Sequence, residues 1–203
     1  MGRDDDRSRN CTGAQTHSGA CNPARLCRPR HRKGDAPLDR CFGVGPFIFM
    51  ERGVSQPVST TWHRGQPVEV ELKLAFGYMG DVQIELIEQT NNASSPYTDF
   101  LAAGREGLQH LGFWVHDHAE ATARVEAAGY ERDYEIRVAG QDQSILYYRS
   151  PDLYGPMLEI VPPMWRRSRQ AVLDHIRAYA GTHPIIRFDT YSAFIQHAGV
   201  TFD

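Results

Sequence analysis

The sequence predicts an α+β fold of paired βαβββ modules, the first truncated at its N-terminal strand and helix. Three observations carry this. Residues 107–162 read β-α-β-β-β, and residues 43–88 read turn-β-β-β. The two units also end alike, Gln83-Ile84-Glu85-Leu86-Ile87 in one and Met157-Leu158-Glu159-Ile160-Val161 in the other. Each closing strand sets one carboxylate among apolar neighbours, which costs free energy unless the charge is paired or binds a cation. Such strands at equivalent places mark a duplicated module.

The elements follow in order. Phe42-Gly43-Val44-Gly45-Pro46 is a turn, and Phe47–Glu51 a short strand. Val68, Val70, Leu72, Leu74 and Phe76 alternate with Glu69, Glu71, Lys73 and Ala75, predicting one strand with a dry face. Gly80-Asp81 turns the chain into Val82–Glu88, completing a hairpin. A loop at 91–96 leads to a short helix, Tyr97–Ala103, and Gln109–Val115 is a strand. Asp117 caps a helix with Ala121, Val125 and Ala128 on one face, and Gly129 stops it. Tyr130–Val138, Ser144–Arg149 and Met157–Val161 are strands, and Arg166–Ala180 is an amphipathic helix. No periodicity marks the tail from Gly181.

Residues 1–41 have a different character. They contain nine Lys+Arg and five Asp+Glu, about +4, against thirteen and twenty, about −7, in the remainder; the two sum to the net −3. All four cysteines (Cys11, Cys21, Cys27, Cys41) fall here, and Val, Ile, Phe, Trp and Tyr are absent. The spacing of Cys21, Cys27, His31 and Cys41 lacks the close ligand pairs of a structural zinc site. The segment is expected to be disordered and translated out of frame. Read one base out of phase, codons for Arg30 to Cys41 permit an amphipathic helix that runs into the Phe42 turn and matches the Asp117 helix. The predicted divisions are therefore 1–41 out of frame, 42–104 the incomplete first module, 105–162 the second, and 163–203 a C-terminal helix and tail. Without the first module's opening helix, Val70, Leu72 and Leu74 are expected to be partly uncovered.

A net charge of −3 opposes general nucleic-acid binding. No apolar run approaches a membrane span and no N-terminal signal is evident, so a cytoplasmic location is expected. Strand parity puts His110, Gly112 and Trp114 on one face. His110 with Glu85 and Glu159, converging between paired sheets, makes a divalent-metal site. Tyr147, Tyr148 and Trp114 are candidate pocket walls or core residues. His116 and His118 are expected to be solvated, and His63, His175, His183 and His197 to lie at the surface.

Four segments together resemble the vicinal oxygen chelate superfamily, the glyoxalase, bleomycin-resistance and extradiol-dioxygenase group. They are Gly43-Val44-Gly45-Pro46-Phe47, Gly80 to Ile87, Gly107 to Val115, and Leu158-Glu159-Ile160-Val161. The resemblance spans about residues 42–162 and lies in the order and spacing of the segments. It implies a cup-shaped mixed sheet around a divalent metal (Zn, Ni, Mn, Co or Fe). Glu85, His110 and Glu159 are the implied ligands, and the first module's other ligand would align near Pro23. The implied activity is that of a glyoxalase-like or acyl-CoA epimerase-like lyase or isomerase, acting through an enediolate on a small carbonyl or thioester. Glu159 is the first candidate for the proton-transferring carboxylate and Glu85 the second. The alternatives are an extradiol ring-cleaving dioxygenase and a non-enzymatic ligand-sequestering protein. The expected partner is a small-molecule substrate, with a homodimer compatible and no membrane or nucleic acid.

Overall fold

The computed structural model describes residues 44–53, 59–152 and 155–200. The predicted out-of-frame segment, its cysteines and Pro23 lie outside these residues. The described chain is a mixed α+β structure with two mixed sheets and four helices.

The second module follows the predicted order. Its elements are β6 (His110–Trp114), α2 (His118–Ala127), β7 (Glu131–Val138), β8 (Ile145–Arg149) and β9 (Met157–Val161). The Asp117 side chain caps α2 by accepting from the Glu120 N–H at 2.9 Å. This helix covers the outer face of the sheet, where Leu146, Tyr148 and Ile160 form a small core with Val125 and Leu158. Strand β6 pairs parallel with β9, in the register His110↔Met157 and Gly112↔Glu159. Parity then turns Leu111 and Phe113 outward, where both are exposed.

The first module supplies β1 (Phe47–Arg52), β4 (Leu72–Met79) and β5 (Val82–Gln89), with β4 and β5 forming the expected antiparallel hairpin. The predicted strand over Val68–Phe76 is divided. Gln66–Val68 forms β3, while β4 begins only at Leu72. Strand β3 pairs with β2 (Ser59–His63), which the sequence reading missed, and β2 extends the second module's sheet beside β7. The strand orders are β10-β1-β4-β5, with β10 spanning Ile185–Thr190, and β3-β2-β7-β8-β9-β6. Helix α1 (Pro96–Ala102) starts at a capping box, in which Ser95 Oγ accepts from the Thr98 N–H and Thr98 Oγ1 accepts from the Ser95 N–H.

The C-terminal region is ordered well past Gly181. A 3₁₀ turn at Pro163–Trp165 leads into α3 (Arg166–Ala178), followed by β10 (Ile185–Thr190) and α4 (Tyr191–His197). Strand β10 lies parallel to β1, with Phe47↔Ile185 and Arg52↔Thr190 in register. Arg52–Asp189 and Arg187–Glu51 ion pairs join the two strands.

These C-terminal elements overturn the expectation for Val70, Leu72 and Leu74. All three are buried, at 3, 5 and 4 % exposure. Leu72 and Leu74 share a face with Tyr78 and, across the hairpin, with Ile87, and that face looks between the two sheets. Val172, Leu173 and Ile176 of α3, with Phe194 and Ile195 of α4, pack into the same core. Burying each large aliphatic side chain contributes about 1.5–3 kcal/mol. The C-terminal helices thus fill one part of the space between the sheets and leave the rest as a cavity.

Candidate metal centre

Three elements deliver the three predicted ligands. Glu85 is on β5, His110 opens β6, and Glu159 sits in the middle of β9. Their donor atoms lie within 4.8 Å of one another. His110 Nε2 is 3.2 Å from Glu85 Oε2 and 3.6 Å from Glu159 Oε2. The site is largely enclosed, with side-chain exposures of 10 % for His110 and 11 % for Glu159.

The surroundings fix each donor. His110 Nδ1 lies 2.7 Å from Gln109 Oε1, and an Nδ1–H donated there leaves Nε2 to face the carboxylates. Tyr147 donates to Glu159 Oε1 at 2.7 Å, and Tyr97 donates to the Tyr147 hydroxyl over 3.4 Å. Burial pushes both tyrosine pKa values well above 10, so both remain donors at neutral pH. Gly112 gives Glu159 its room, because a Cβ there would stand 2.7 Å from Glu159 Oε2.

The electrostatics favour a cation. Burial, aided by the neighbouring Glu85 charge, pushes the Glu159 carboxyl up to about 7, against the opposing pull of His110 and Tyr147. Burial disfavours the His110 imidazolium, but the Glu85 hydrogen bond and the charges of Glu159 and Glu85 outweigh it, so its pKa is raised. Two close buried carboxylates repel each other, and a divalent ion would offset that repulsion. One imidazole nitrogen with two carboxylates suits the borderline ions Zn, Mn, Co, Ni and Fe(II). His110 Nε2 turned toward both carboxylates, with the three donors within 4.8 Å of one another, fits such an ion.

Of the pocket or core candidates, two face the cavity and one the core, while His63, His118 and His175 lie deeper than expected. Tyr147 and Trp114 do line the cavity between the sheets, whereas Tyr148 belongs to the core under α2. His63 is buried rather than at the surface. Its Nδ1 lies 2.8 Å from Ser94 Oγ, and its Nε2 lies 3.3 Å from Asp133 Oδ2. Arg64 spans Asp133, at 2.9 Å, and Asp99, tying β2 and α1 to β7. His118 is also buried, and burial lowers its pKa. His175 is half-buried, with its ring 5.4 Å from that of His197. Neither His63 nor His118 sits in an apolar period, and only the unpredicted β2 pairing makes His63 interior.

The family model described as the Glyoxalase/Bleomycin resistance protein/Dioxygenase superfamily matches residues 36–147, more than half of the chain. The chain belongs to this superfamily. Glu85 and His110 lie inside the matched range, and Glu159 follows it on the next strand of the module. The superfamily's mixed α+β architecture agrees with the two sheets and four helices seen here. No curated protein matches the chain. Among the described residues, no helix is long and apolar enough to cross a membrane.

Proposed function

We propose that this member of the glyoxalase superfamily is a divalent-metal-dependent lyase or isomerase acting on a small carbonyl or thioester substrate. The observation that carries the reading is the convergence of Glu85, His110 and Glu159 within 4.8 Å at the wall of a cavity of about 100 Å³. A divalent ion held by the three would act as a Lewis acid, stabilising the negative charge of an enediolate. The chain's own residues supply the rest. Glu159, with its carboxyl pushed up to about 7, is poised to take a proton from the carbon beside a carbonyl and return it. Tyr147 holds one oxygen of that carboxylate, and the other lies 3.6 Å from His110 Nε2. The apolar walls, among them Leu72, Leu74, Phe76 and Ile136, keep water from the transferring proton.

An extradiol dioxygenase ordinarily places two imidazoles and one carboxylate on iron, whereas the cluster here has one imidazole and two carboxylates. A sequestering protein would need only the cavity. Metal titration by calorimetry comes first, followed by assay of the loaded protein. The assay measures deuterium incorporation from D₂O beside the carbonyl of a methylglyoxal–thiol hemithioacetal and of a 2-methylmalonyl thioester. One tightly bound ion with metal-dependent exchange supports the proposal. Oxygen uptake on a catechol with Fe(II) would select the dioxygenase, and ligand binding indifferent to metal the sequestering protein.

A further inference from the structure

Arg169, on α3, lies outside both the segments that resemble the superfamily and the range its model matches, yet it lines the same cavity as Glu85 and Glu159. Its guanidinium stands 5.0 Å from the ring centre of Trp114 and 5.6 Å from that of Tyr78. One Nη donates to the Asp81 carbonyl at 2.8 Å, while Nε is buried with no hydrogen-bond partner. Among the described residues it has no carboxylate partner, since the Asp81 carboxylate is taken by Arg177 at 2.9 Å.

We propose that Arg169 binds a terminal carboxylate on the substrate, so that the site takes small anionic oxo-acids with a second acidic group remote from the metal-facing end. This rests on the metal-centre reading above. Once a divalent ion balances Glu85 and Glu159, the guanidinium is the remaining charge at a mostly apolar cavity. Its Nε is buried with no acceptor, which is costly, and a ligand carboxylate oxygen removes that cost. Trp114 and Tyr78 flank the guanidinium, and its nitrogens not bonded to Asp81 remain open to oxygen acceptors. The Trp114 ring reaches back along β6 to within 3.5 Å of where a Gly112 Cβ would stand, beside Glu159, so the guanidinium and the metal-facing carboxylates border one continuous cavity. A cavity of about 100 Å³ also falls below the ~300–1,000 Å³ of pockets for drug-sized ligands, which favours a small substrate.

The test uses the full chain loaded with Mn²⁺, with 2-oxoglutarate and 2-oxopentanoate as probes. Both present the same 2-oxo-acid head, and only the first carries a distal carboxylate. The unaltered protein is expected to bind 2-oxoglutarate at least tenfold more tightly. Arg169→Met should abolish that preference while leaving Mn²⁺ affinity and 2-oxopentanoate affinity within about twofold, and Arg169→Lys should keep part of it. Melting curves of both variants verify folding, and Arg169→Lys decides the matter if Arg169→Met does not fold. A purely structural arginine would weaken both probes equally and leave the preference intact, which overturns the proposal. Equal affinities in the unaltered protein, or no binding of either acid to Mn²⁺-loaded protein, overturn it as well and leave the metal centre standing. Failure to bind Mn²⁺ removes the metal-centre reading first, and this inference with it.

Discussion

The Tyr147 hydroxyl donates a 2.7 Å hydrogen bond to Glu159 Oε1, between residues that face each other on adjacent strands β8 and β9. Tyr147 is 2 % exposed, so the hydroxyl has no ready alternative partner in solvent. The bond fixes the orientation of the carboxylate before any ion arrives.

Tyr147→Phe is therefore expected to keep the fold and lower metal affinity by about tenfold, the usual cost of losing an outer hydrogen bond to a ligand. Stability should fall by about 1–2 kcal/mol, as for the loss of a buried hydrogen bond to a charged group. Calorimetric titration with Zn²⁺ and a denaturant melt measure the two effects separately. Unchanged metal affinity would remove Tyr147 from any orienting role.

Gly112 is a second, purely steric control. A Cβ there would meet Glu159 Oε2 at 2.7 Å, below van der Waals contact. Its backbone is not in the left-handed region, so alanine adds no backbone strain. Gly112→Ala is expected to displace the Glu159 carboxylate and reduce metal affinity by at least tenfold, with far-ultraviolet circular dichroism unchanged. Full metal binding by this variant would mean that Glu159 is not a ligand.

The contrast between these site residues and the rest of the fold shows what a sequence carries. Glu85 and Glu159 were legible because a carboxylate inside an apolar strand breaks the local pattern, and His110 because parity set it on one face with Gly112 and Trp114. The second module's elements were legible to within a residue or two, since helix α2 has a cap and a glycine stop. Strand β2 was not, because Ser59-Thr60-Thr61-Trp62-His63 has no apolar alternation and is held by the distant β7. Strand β10 does alternate, Ile186 and Phe188 against Arg187 and Asp189, but it is short and its partner β1 lies more than 130 residues away. The burial of Leu72 and Leu74 followed from those missed elements. Which face of β4 met the helices depended on where the C-terminal region returned.

The Asp133 cluster carries a stability prediction. Asp133 is buried and accepts from Arg64 Nε at 2.9 Å, with His63 Nε2 3.3 Å away. Removing the carboxylate leaves His63 and Arg64 with Asp99 alone as acidic neighbour and takes the 3.6 Å contact from Arg149. Because Arg64 is half-exposed and water can serve it, Asp133→Ala is expected to cost about 2–3 kcal/mol, below the 3–5 of a fully buried pair. Metal stoichiometry should not change, because the cluster lies outside the metal centre. A denaturant melt paired with metal analysis verifies both parts.

The segment 1–41 is tested in DNA. Sequencing the genomic region over codons 20–45 is expected to show a neighbouring frame that encodes an amphipathic helix leading into Phe42. A coding sequence without such a frame removes the frameshift reading and the argument for a missing strand and helix.

The pH dependence follows from two groups of the candidate site whose pKa values are shifted. The Glu159 carboxyl is pushed from 4.5 up to about 7, mainly by burial, and the His110 pKa is raised above 6.5 by its carboxylate neighbours against the effect of burial. Both groups hold their protons more tightly in the folded chain than in the unfolded one. Their contribution is fully present below the unfolded pKa values and is lost as pH rises through the folded ones. The metal-free protein should therefore lose stability as pH rises from about 5 to about 7, most steeply between the unfolded and folded values of Glu159, with His110 extending the loss upward. His118 and His175, whose pKa values burial lowers, act in the opposite direction, destabilising the fold as pH falls below 6.5. Glu159→Gln isolates the ligand effect, since it removes the carboxyl and leaves both histidines. A divalent ion requires the same two groups deprotonated, so its stabilising effect should grow over the range in which the metal-free protein weakens. The measurement is the melting temperature at pH 5, 6, 7 and 8, with and without saturating Mn²⁺, for the unaltered chain and Glu159→Gln. An increment from Mn²⁺ that is flat with pH, or a Glu159→Gln profile identical to that of the unaltered chain, would show that Glu159 neither titrates in this range nor binds the ion.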